Sequence, residues 1–205
     1  MLDAKRPFRL AAAVGLLTLT ACGHSPETRF FTLAPTAPGR AAAAFAGPAL
    51  RLDHVTIPPA LDRPELVREY AAEQLKVDDF SHWGAPLGEL MRATLVEDLT
   101  ARLPAGRVVP ASAPKLDGAV DLVVEVSSVH EGGGRVIADV DWILTRRPAG
   151  SRDPAQVVRT LRHERIEAAL NGPSQQAYAA ALSQVVGALA DRIAEALGQP
   201  GGPAG

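Results

Sequence analysis

The chain has 205 residues, of which 47% are hydrophobic and only 4% aromatic, and its formal net charge is −2 at pH 7. This length suits about one domain, whose core must be built from aliphatic side chains. The lack of a basic excess argues against a nucleic-acid-binding protein.

The amino-terminal stretch has the organisation of a secretory signal. Basic Lys5, Arg6 and Arg9 precede an apolar run, Leu10–Ala21. A run of about a dozen residues fits the hydrophobic region of a signal peptide. A membrane-spanning helix needs roughly 20 apolar residues, so this run is too short to remain as an anchor.

The sequence Leu-Thr-Ala-Cys at the end of this run resembles a bacterial lipobox, and Cys22 is the single cysteine of the chain. The resemblance implies that residues 1–21 are a lipoprotein signal peptide and that the Cys22 thiol carries a covalent lipid. The thiolate form of cysteine is a strong nucleophile, which suits it to attachment of a lipid. The lipid would also block a thiol that could otherwise pair between molecules in an oxidising compartment. The alternative is a plain signal peptide, cleaved after Ala21, with an incidental cysteine.

Removal of residues 1–21 takes away three basic residues and one acidic residue, so the formal charge becomes −4. Residues 22–28 would form a short membrane leash, because the eight residues from Cys22 to Phe30 span at most roughly 28 Å. Several acyl chains would make the attachment stable. In the enteric sorting system that this signal resembles, an aspartate directly after the cysteine retains a lipoprotein at the inner membrane, and this chain has Gly23 there instead. We therefore expect the protein to be anchored at the periplasmic face of the outer membrane.

We expect one domain at residues 29–197. Its first strand is predicted at Arg29–Leu33, and the Ala/Pro-rich residues 34–48 predict a loop or a long crossing segment. Leu50–Ile57 predicts a strand that stops at two prolines, which cannot donate to a strand ladder. The stretches ELVREY and EQLKVDDF predict two short strands, which form a hairpin.

The next stretch, FSHWGAPLGELMRATLVEDLTARL, predicts a helix. Its apolar residues recur every four positions and form one buried stripe: Leu87, Met91, Leu95 and Leu99. The stripe drifts by about 40° at each step, so the helix should cross its sheet obliquely. Pro86 suits the first turn, and Trp83 is predicted to pack in the core at the start of this helix.

The second half predicts a β-hairpin, an edge strand and a final helix. Ala119–Val129 and Arg135–Arg146 alternate apolar and polar residues on either side of the sequence HEGGG. Gln156–Leu170 has the polar pattern of an edge strand. A helix with 3.6-residue periodicity begins after the N-cap Ser174, and residues 198–205 predict a disordered tail. The expected fold is a single α+β domain, a mixed β-sheet with two amphipathic helices packed on one face.

Several features together resemble the ABC-type transport auxiliary lipoprotein family, the PqiC/YmbA group of membrane integrity-associated transporter subunits. They are the lipobox, the Phe-Phe-x-Leu strand, the stretch LDRPELV (Leu61–Val67), Trp83 followed by Pro86-Leu87, a strand carrying Trp142, and the long final helix. The Phe-Phe opening, where the family often has tyrosines, and the length of the Ala/Pro segment depart from the pattern.

The resemblance implies an outer-membrane-anchored accessory lipoprotein of an MCE-type, PqiABC-like intermembrane lipid transport system. Its partners would be a periplasm-spanning MCE-domain protein (PqiB-like) and an inner-membrane permease, and a homo-oligomer fits this role. Loops often carry binding residues, so Asp62, Arg63 and Glu65 are candidate partner-binding residues. A merely solvated loop is the alternative. A stand-alone periplasm-facing lipoprotein that binds a small molecule or lipid is the competing function.

The sequence offers little support for catalysis or a metal cofactor. No two histidines stand at metal-ligand spacing: His24, His54, His82, His130 and His163 are scattered. Asp139 and Asp141 share a strand face, which we interpret as a solvated polar surface. Neither a Gly-x-Ser-x-Gly elbow nor a phosphate-binding loop before a helix occurs. We predict no catalytic residues, no metal and no cofactor beyond the lipid on Cys22.

Overall fold

The structure is a computed structural model that describes residues 26–39, 45, 47–71, 74–110, 112, 118–150, 153 and 156–198. The signal-peptide prediction for residues 1–21, the lipid-attachment prediction at Cys22 and the tail beyond residue 198 lie outside the described residues.

Eight strands and two helices make up the described part of the chain. They are β1 (Arg29–Phe31), β2 (Leu50–Thr56), β3 (Glu65–Ala71), β4 (Gln74–Trp83), α1 (Leu87–Arg102), β5 (Val108–Val109), β6 (Val120–Gly132), β7 (Arg135–Arg146), β8 (Val158–Ala169) and α2 (Gln175–Gly198). The two-residue strand β5 was not predicted from the sequence.

The strands form two sheets, where the sequence predicted one. A five-stranded sheet has the order β5-β2-β6-β7-β8, and a three-stranded sheet has the order β1-β4-β3. Both are mixed, because β2 runs parallel to β5 and β6, and β1 runs parallel to β4. A turn at residues 58–63 separates β2 from β3, so β3 begins a new sheet. The predicted α+β class is confirmed.

Both helices pack against one face of the five-stranded sheet and against each other. Helix α1 contacts β2 and β5, and α2 contacts β7 and β8. The alternation of β6 and β7 turns one row of apolar side chains towards the helices, as predicted. Fully buried members of this row include Val120, Leu122, Val124, Val136, Ala138, Val140, Trp142 and Leu144. Each buried Val or Leu side chain contributes about 1.5–3 kcal/mol.

Helix α1 begins directly after Pro86, and its predicted apolar stripe is buried. Trp83 is buried as well, at 4% exposure, but it is the last residue of β4 and not the start of the helix. The backbone N–H of Trp83 donates to the carbonyl of Pro64, 2.8 Å away. The next N–H, from Gly84, donates to Phe31 at 2.8 Å. These strand-like bonds delay the helix until Pro86.

The β-hairpin, edge strand and second helix agree with the sequence patterns. Strands β6 and β7 pair antiparallel, and β8 lies at the edge of the sheet. A bulge between Val126 and Ser128 interrupts the register of β6. The hydroxyl of Ser174 accepts a hydrogen bond of 3.1 Å from the N–H of Ala177, as an N-cap does.

Residues 32–39, which we call the strap, cross the surface of the two helices. The backbone N–H of Ala34 donates to Ser183 Oγ at 3.1 Å, and that of Thr36 donates to Asp98 Oδ1 at 2.8 Å. A Cβ on Gly187 would lie only 1.9 Å from Thr36 Oγ1, so the strap depends on a glycine in α2. The first residues of the Ala/Pro-rich region therefore form a crossing segment that hydrogen bonds hold against the two helices.

A buried arginine of α1 fixes the strap to both helices. The guanidinium of Arg102 is 3% exposed, and its Nε donates to Asp191 Oδ1 of α2 at 2.7 Å. Its Nη1 donates to Asp98 Oδ1 at 3.0 Å and to the carbonyl oxygen of Thr36 at 3.2 Å. Its Nη2 donates to Thr36 Oγ1 at 3.1 Å and to the carbonyl oxygen of Ala37 at 3.3 Å. These bonds satisfy several backbone groups that a crossing segment would otherwise leave unpaired.

Candidate functional site

The outer face of the three-stranded sheet exposes large aromatic side chains. In β1, Phe30 is 70% exposed, and in β4, Phe80 is 42% exposed. Successive side chains of a strand point to opposite faces. Accordingly, Ser81 and Trp83 are buried on the inner face, while Phe80 and His82 lie on the outer one.

The strand register brings these aromatic residues together with one of the predicted partner-binding residues. Phe30 pairs with His82 across the parallel β1–β4 ladder, and Glu65 pairs with His82 on the other side. The rings of Phe30 and His82 lie 5.8 Å apart between centroids. We call the surface formed by Phe30, Glu65, Phe80 and His82 the aromatic face.

Two of the three predicted partner-binding residues lie on the turn that leads into this face, and the third, Glu65, is the first residue of β3. Leu61 is buried and its N–H donates to the carbonyl of Pro58 at 2.9 Å, which fixes the turn. Asp62 and Arg63 are exposed on the turn. Arg63 Nε donates to Glu65 Oε2 at 2.8 Å. This hydrogen bond, more than any other contact, holds the pKa of the Glu65 carboxyl below its usual range.

The structure therefore joins two of the three predicted residues, Arg63 and Glu65, in one ion pair beside the aromatic face. Asp62 lies on the same turn, and its backbone N–H donates to the carbonyl oxygen of Pro59 at 3.3 Å. An exposed pair of this kind adds little to stability. It places a positive and a negative charge next to the exposed aromatic rings.

A carboxylate beneath the face shapes the bulge that carries Phe80. Asp78 Oδ1 accepts a hydrogen bond of 3.1 Å from the N–H of Phe80, and Oδ2 accepts one of 3.1 Å from Ser81 Oγ. Gln175 Nε2 of α2 donates to the same Oδ2 at 2.8 Å. The bond from Gln175 is the main reason that the pKa of Asp78 is lowered. The exposed position of Phe80 is thus fixed by a polar network.

A second polar network lies further along the three-stranded sheet. Arg68 of β3 is only 2% exposed and binds both carboxylate oxygens of Glu131 in β6. Its Nη1 donates to the carbonyl of Pro173, 2.7 Å away, just before α2. The guanidinium lies between the rings of Tyr70 and Tyr178, at 4.9 and 5.1 Å from their centroids. These contacts join the smaller sheet to the larger one and to α2.

The aromatic face adjoins an open cleft of about 620 Å³ between β1 and the start of α2. Its lining combines residues 27–31, Asp78 and the first turn of α2. The cleft contains exposed backbone and charged groups of both signs, and Arg29 and Glu27 lie at its edge. It is therefore a groove open to solvent and not an enclosed apolar cavity.

The face of the five-stranded sheet opposite the helices carries the polar residues that the sequence assigned to a solvated surface. His163 Nδ1 lies 3.0 Å from Asp141 Oδ1, and both side chains are substantially exposed. Ser128 Oγ donates to Asp139 Oδ2 at 2.9 Å, so this hydroxyl is directed to a carboxylate and not to the imidazole. The arrangement gives a network of cross-strand pairs.

Two absences can be stated for the part of the chain that the structure describes. There, no group of three or more histidine, cysteine, aspartate or glutamate side chains is arranged to hold a metal ion. Neither of the two helices described is long and apolar enough to span a bilayer.

Sequence reasoning identified Phe30 only as part of a strand and did not single out Phe80. The signal for Phe30 was available, because Phe31 alternates with it and one of two adjacent aromatic residues must face outward. The exposed position of Phe80 depends on the bulge at residues 79–81, where the β3–β4 register shifts between Glu65 and Leu66. Simple alternation does not predict such a jump.

Comparisons with known proteins agree with this architecture. A family model described as the ABC-type transport auxiliary lipoprotein component matches residues 31–194. One similar crystal structure, of an uncharacterised protein, has a TM-score of 0.64 at 21% identity and covers 83% of this chain and 98% of its own. Protein XCC0632 from Xanthomonas campestris has a TM-score of 0.56 at 17% identity, covering 81% and 92%. No curated protein matches the sequence significantly.

Proposed function

Because this chain belongs to the ABC-type transport auxiliary lipoprotein family, we propose that it is a non-enzymatic accessory subunit of an MCE-type intermembrane lipid transport system. In this proposal a lipid on Cys22 anchors the domain to the periplasmic face of the outer membrane. The domain then docks a periplasm-spanning MCE-domain protein, which works with an inner-membrane permease. The family match over residues 31–194 is the observation that carries the proposal.

The geometry of the domain supports a docking role in two ways. First, the charged turn with Asp62 and Arg63 is exposed but held rigid by buried Leu61. Binding of a partner therefore costs little conformational entropy at this turn. Second, Arg63 and Glu65 form a solvent-accessible ion pair at the end of this turn, and charged groups of this kind steer association and set specificity at protein interfaces.

The anchoring part of the proposal is tested by Cys22→Ser in cells of the native host. The wild-type protein should fractionate with outer membranes and its amino-terminal peptide should carry added lipid mass. The variant lacks the thiol that is acylated, so it should be soluble in the periplasm or retain its signal peptide. If the variant stays with the membranes and the wild-type peptide has no added lipid, the anchoring proposal is wrong.

The docking part is tested by affinity purification from detergent-solubilised envelopes. Wild-type protein should bring down an MCE-domain protein, and Arg63→Glu should bring down less because it reverses the charge at the rim of the turn. Arg165→Glu is a matched control, since Arg165 is also an exposed arginine in an ion pair but lies on the five-stranded sheet. If wild type captures no MCE-domain protein, the docking function is wrong, and equal losses in both variants would remove the turn from the interface.

A second candidate is a stand-alone lipoprotein that binds a small molecule or lipid itself, for which the open cleft beside β1 is the available site. Mass spectrometry of ligands extracted from the purified protein distinguishes the two. A stoichiometric ligand in the absence of any protein partner would favour this alternative.

A further inference from the structure

We infer that the aromatic face is a membrane-contacting surface: Phe30 and Phe80 insert into the interface of the same bilayer that holds the lipid anchor. The inference rests on the proposed lipidation of Cys22 and adds to it a second, non-covalent point of attachment. In this inference, the two side chains contact a lipid surface and not a protein.

The first argument is the length of chain between the anchor and the domain. Pro26 is the first described residue, and it stands four positions after Cys22. Four fully extended residues span at most roughly 14 Å, which is less than half the thickness of a bilayer. Pro26, three residues before β1, must therefore lie close to the membrane surface whenever Cys22 carries a lipid.

The second argument is where the exposed apolar side chains lie. Among the described residues, five of the seven large exposed hydrophobic side chains belong to the three-stranded sheet. Phe30 is the most exposed of all, at 70%, and it belongs to β1, the strand that follows the leash. Phe80 lies on the adjacent strand β4, two residues before His82, which pairs with Phe30. Two of these five side chains, Phe30 and Phe80, thus lie at the end of the sheet that the leash holds to the membrane, and the other three lie towards the β3–β4 turn.

The third argument is the chemistry of the surface. Phenylalanine is among the apolar side chains that peripheral membrane-binding segments bury at the boundary between headgroups and acyl chains. The charged residues around the two phenylalanines are mixed, with Arg29 and Arg63 beside Glu65 and Asp79. This surface lacks the basic cluster that anionic headgroups attract, so contact depends on apolar insertion. We expect it to persist at high salt and in vesicles of low anionic lipid content.

The fold makes such insertion rigid. Asp78 holds the backbone at Phe80 through its N–H, and the pairing of β1 with β4 holds Phe30. Two attachment points, one covalent and one through the side chains, restrict the rotation of the domain on its leash. The charged turn at residues 61–63 would then sit at a fixed height beside the membrane.

The test uses the full lipidated protein reconstituted into vesicles of phosphatidylethanolamine, phosphatidylglycerol and a phosphatidylcholine with brominated acyl chains. Bromine quenches tryptophan fluorescence by contact. The native tryptophans, Trp83 and Trp142, are 4% and 1% exposed, so they provide a background that lipid cannot reach. F30W and F80W each place a reporter on the aromatic face. L161W is the matched control, because Leu161 is 61% exposed but lies on β8 of the other sheet.

We expect F30W and F80W to lose most of their added emission in brominated vesicles relative to unbrominated ones, and L161W to lose little. Flotation of each sample reports the anchor separately. Protein that fails to float would overturn the lipid anchor itself and the inference with it. Protein that floats with F30W unquenched, or with L161W quenched equally, would overturn the inference alone. That result would leave the aromatic face to a protein partner.

Discussion

At the scale of single residues, Arg68 determines how the two sheets are joined. Its guanidinium is buried between two tyrosine rings and bonded to Glu131, Pro173 and Gln175. Burial, the largest single influence, would lower the pKa of Arg68, but the hydrogen bonds to Glu131 and the attraction of Glu131, Tyr70 and Tyr178 together outweigh it and raise the pKa. The arginine therefore stays charged, and the pair acts as one unit.

We expect Arg68→Met to lower the free energy of unfolding by about 3–5 kcal/mol, because it leaves the Glu131 carboxylate buried without its partner. Urea unfolding followed by circular dichroism measures the change. Arg68→Met combined with Glu131→Met should recover much of the loss, since it removes both charges. An unchanged urea midpoint for the single variant would contradict the assigned role.

Asp78 gives the protein a predictable response to acid. Its folded pKa is depressed, chiefly by the hydrogen bond from Gln175. A carboxyl of this kind adds stability that is present above the unfolded pKa of about 3.9 and is lost as the pH falls through the lower folded value.

Below about pH 4, Asp78→Asn should therefore make the free energy of unfolding less dependent on pH than in the wild type. The measurement is the urea midpoint as a function of pH. Asp79→Asn, one residue away on the exposed side of the bulge, controls for the loss of one negative charge. If both variants follow the same curve, the hydrogen bond from Gln175 does not contribute as described.

At the scale of elements, helix α1 buries two stripes, and the sequence predicted only one. The apolar stripe from Leu87 to Leu99 faces the sheet as expected. A second, polar stripe of Thr94, Asp98 and Arg102 is also buried. In the sequence, an aspartate and an arginine four residues apart are typical of an exposed helix face. They are buried here because the strap covers them, and such a long-range cover leaves no periodic signal.

The strap also reverses the usual effect of a helix substitution. In a helix interior, Ala is normally more stable than Gly by about 0.8–1.0 kcal/mol. Gly187→Ala should instead destabilise the protein by about 1–3 kcal/mol, because its methyl group would overlap Thr36. Thermal unfolding and limited proteolysis at the strap measure the effect.

The control is the same change in a Thr36→Gly background, where the obstructing side chain is gone. There Gly187→Ala should become neutral or stabilising. A stabilising effect of Gly187→Ala in the otherwise unchanged protein would mean that the strap does not lie on α2 at this point.

At the scale of the whole molecule, local patterns predicted the elements better than their arrangement. The hairpin of β6 and β7, the edge position of β8 and the capped helix α2 all follow from alternation, glycine placement and an N-cap serine. The division into two sheets does not follow from these local patterns. It depends on which strands, distant in sequence, pair with β1 and with β2. For the same reason, the sequence located Asp62, Arg63 and Glu65 on a loop but did not bring Phe30 and Phe80 beside them.

The parallel pairing of β1 with β4 has a mechanical consequence. A pull on the amino-terminal end, directed along β1, loads its hydrogen bonds to β4 together in shear, whereas a pull across the strand would open them one after another. Beyond β1, the next resistance is the salt-bridged crossing at Arg102. In the arrangement proposed above, with a lipid anchor at one end and a partner at the other, this geometry opposes unfolding that starts from the amino-terminal end.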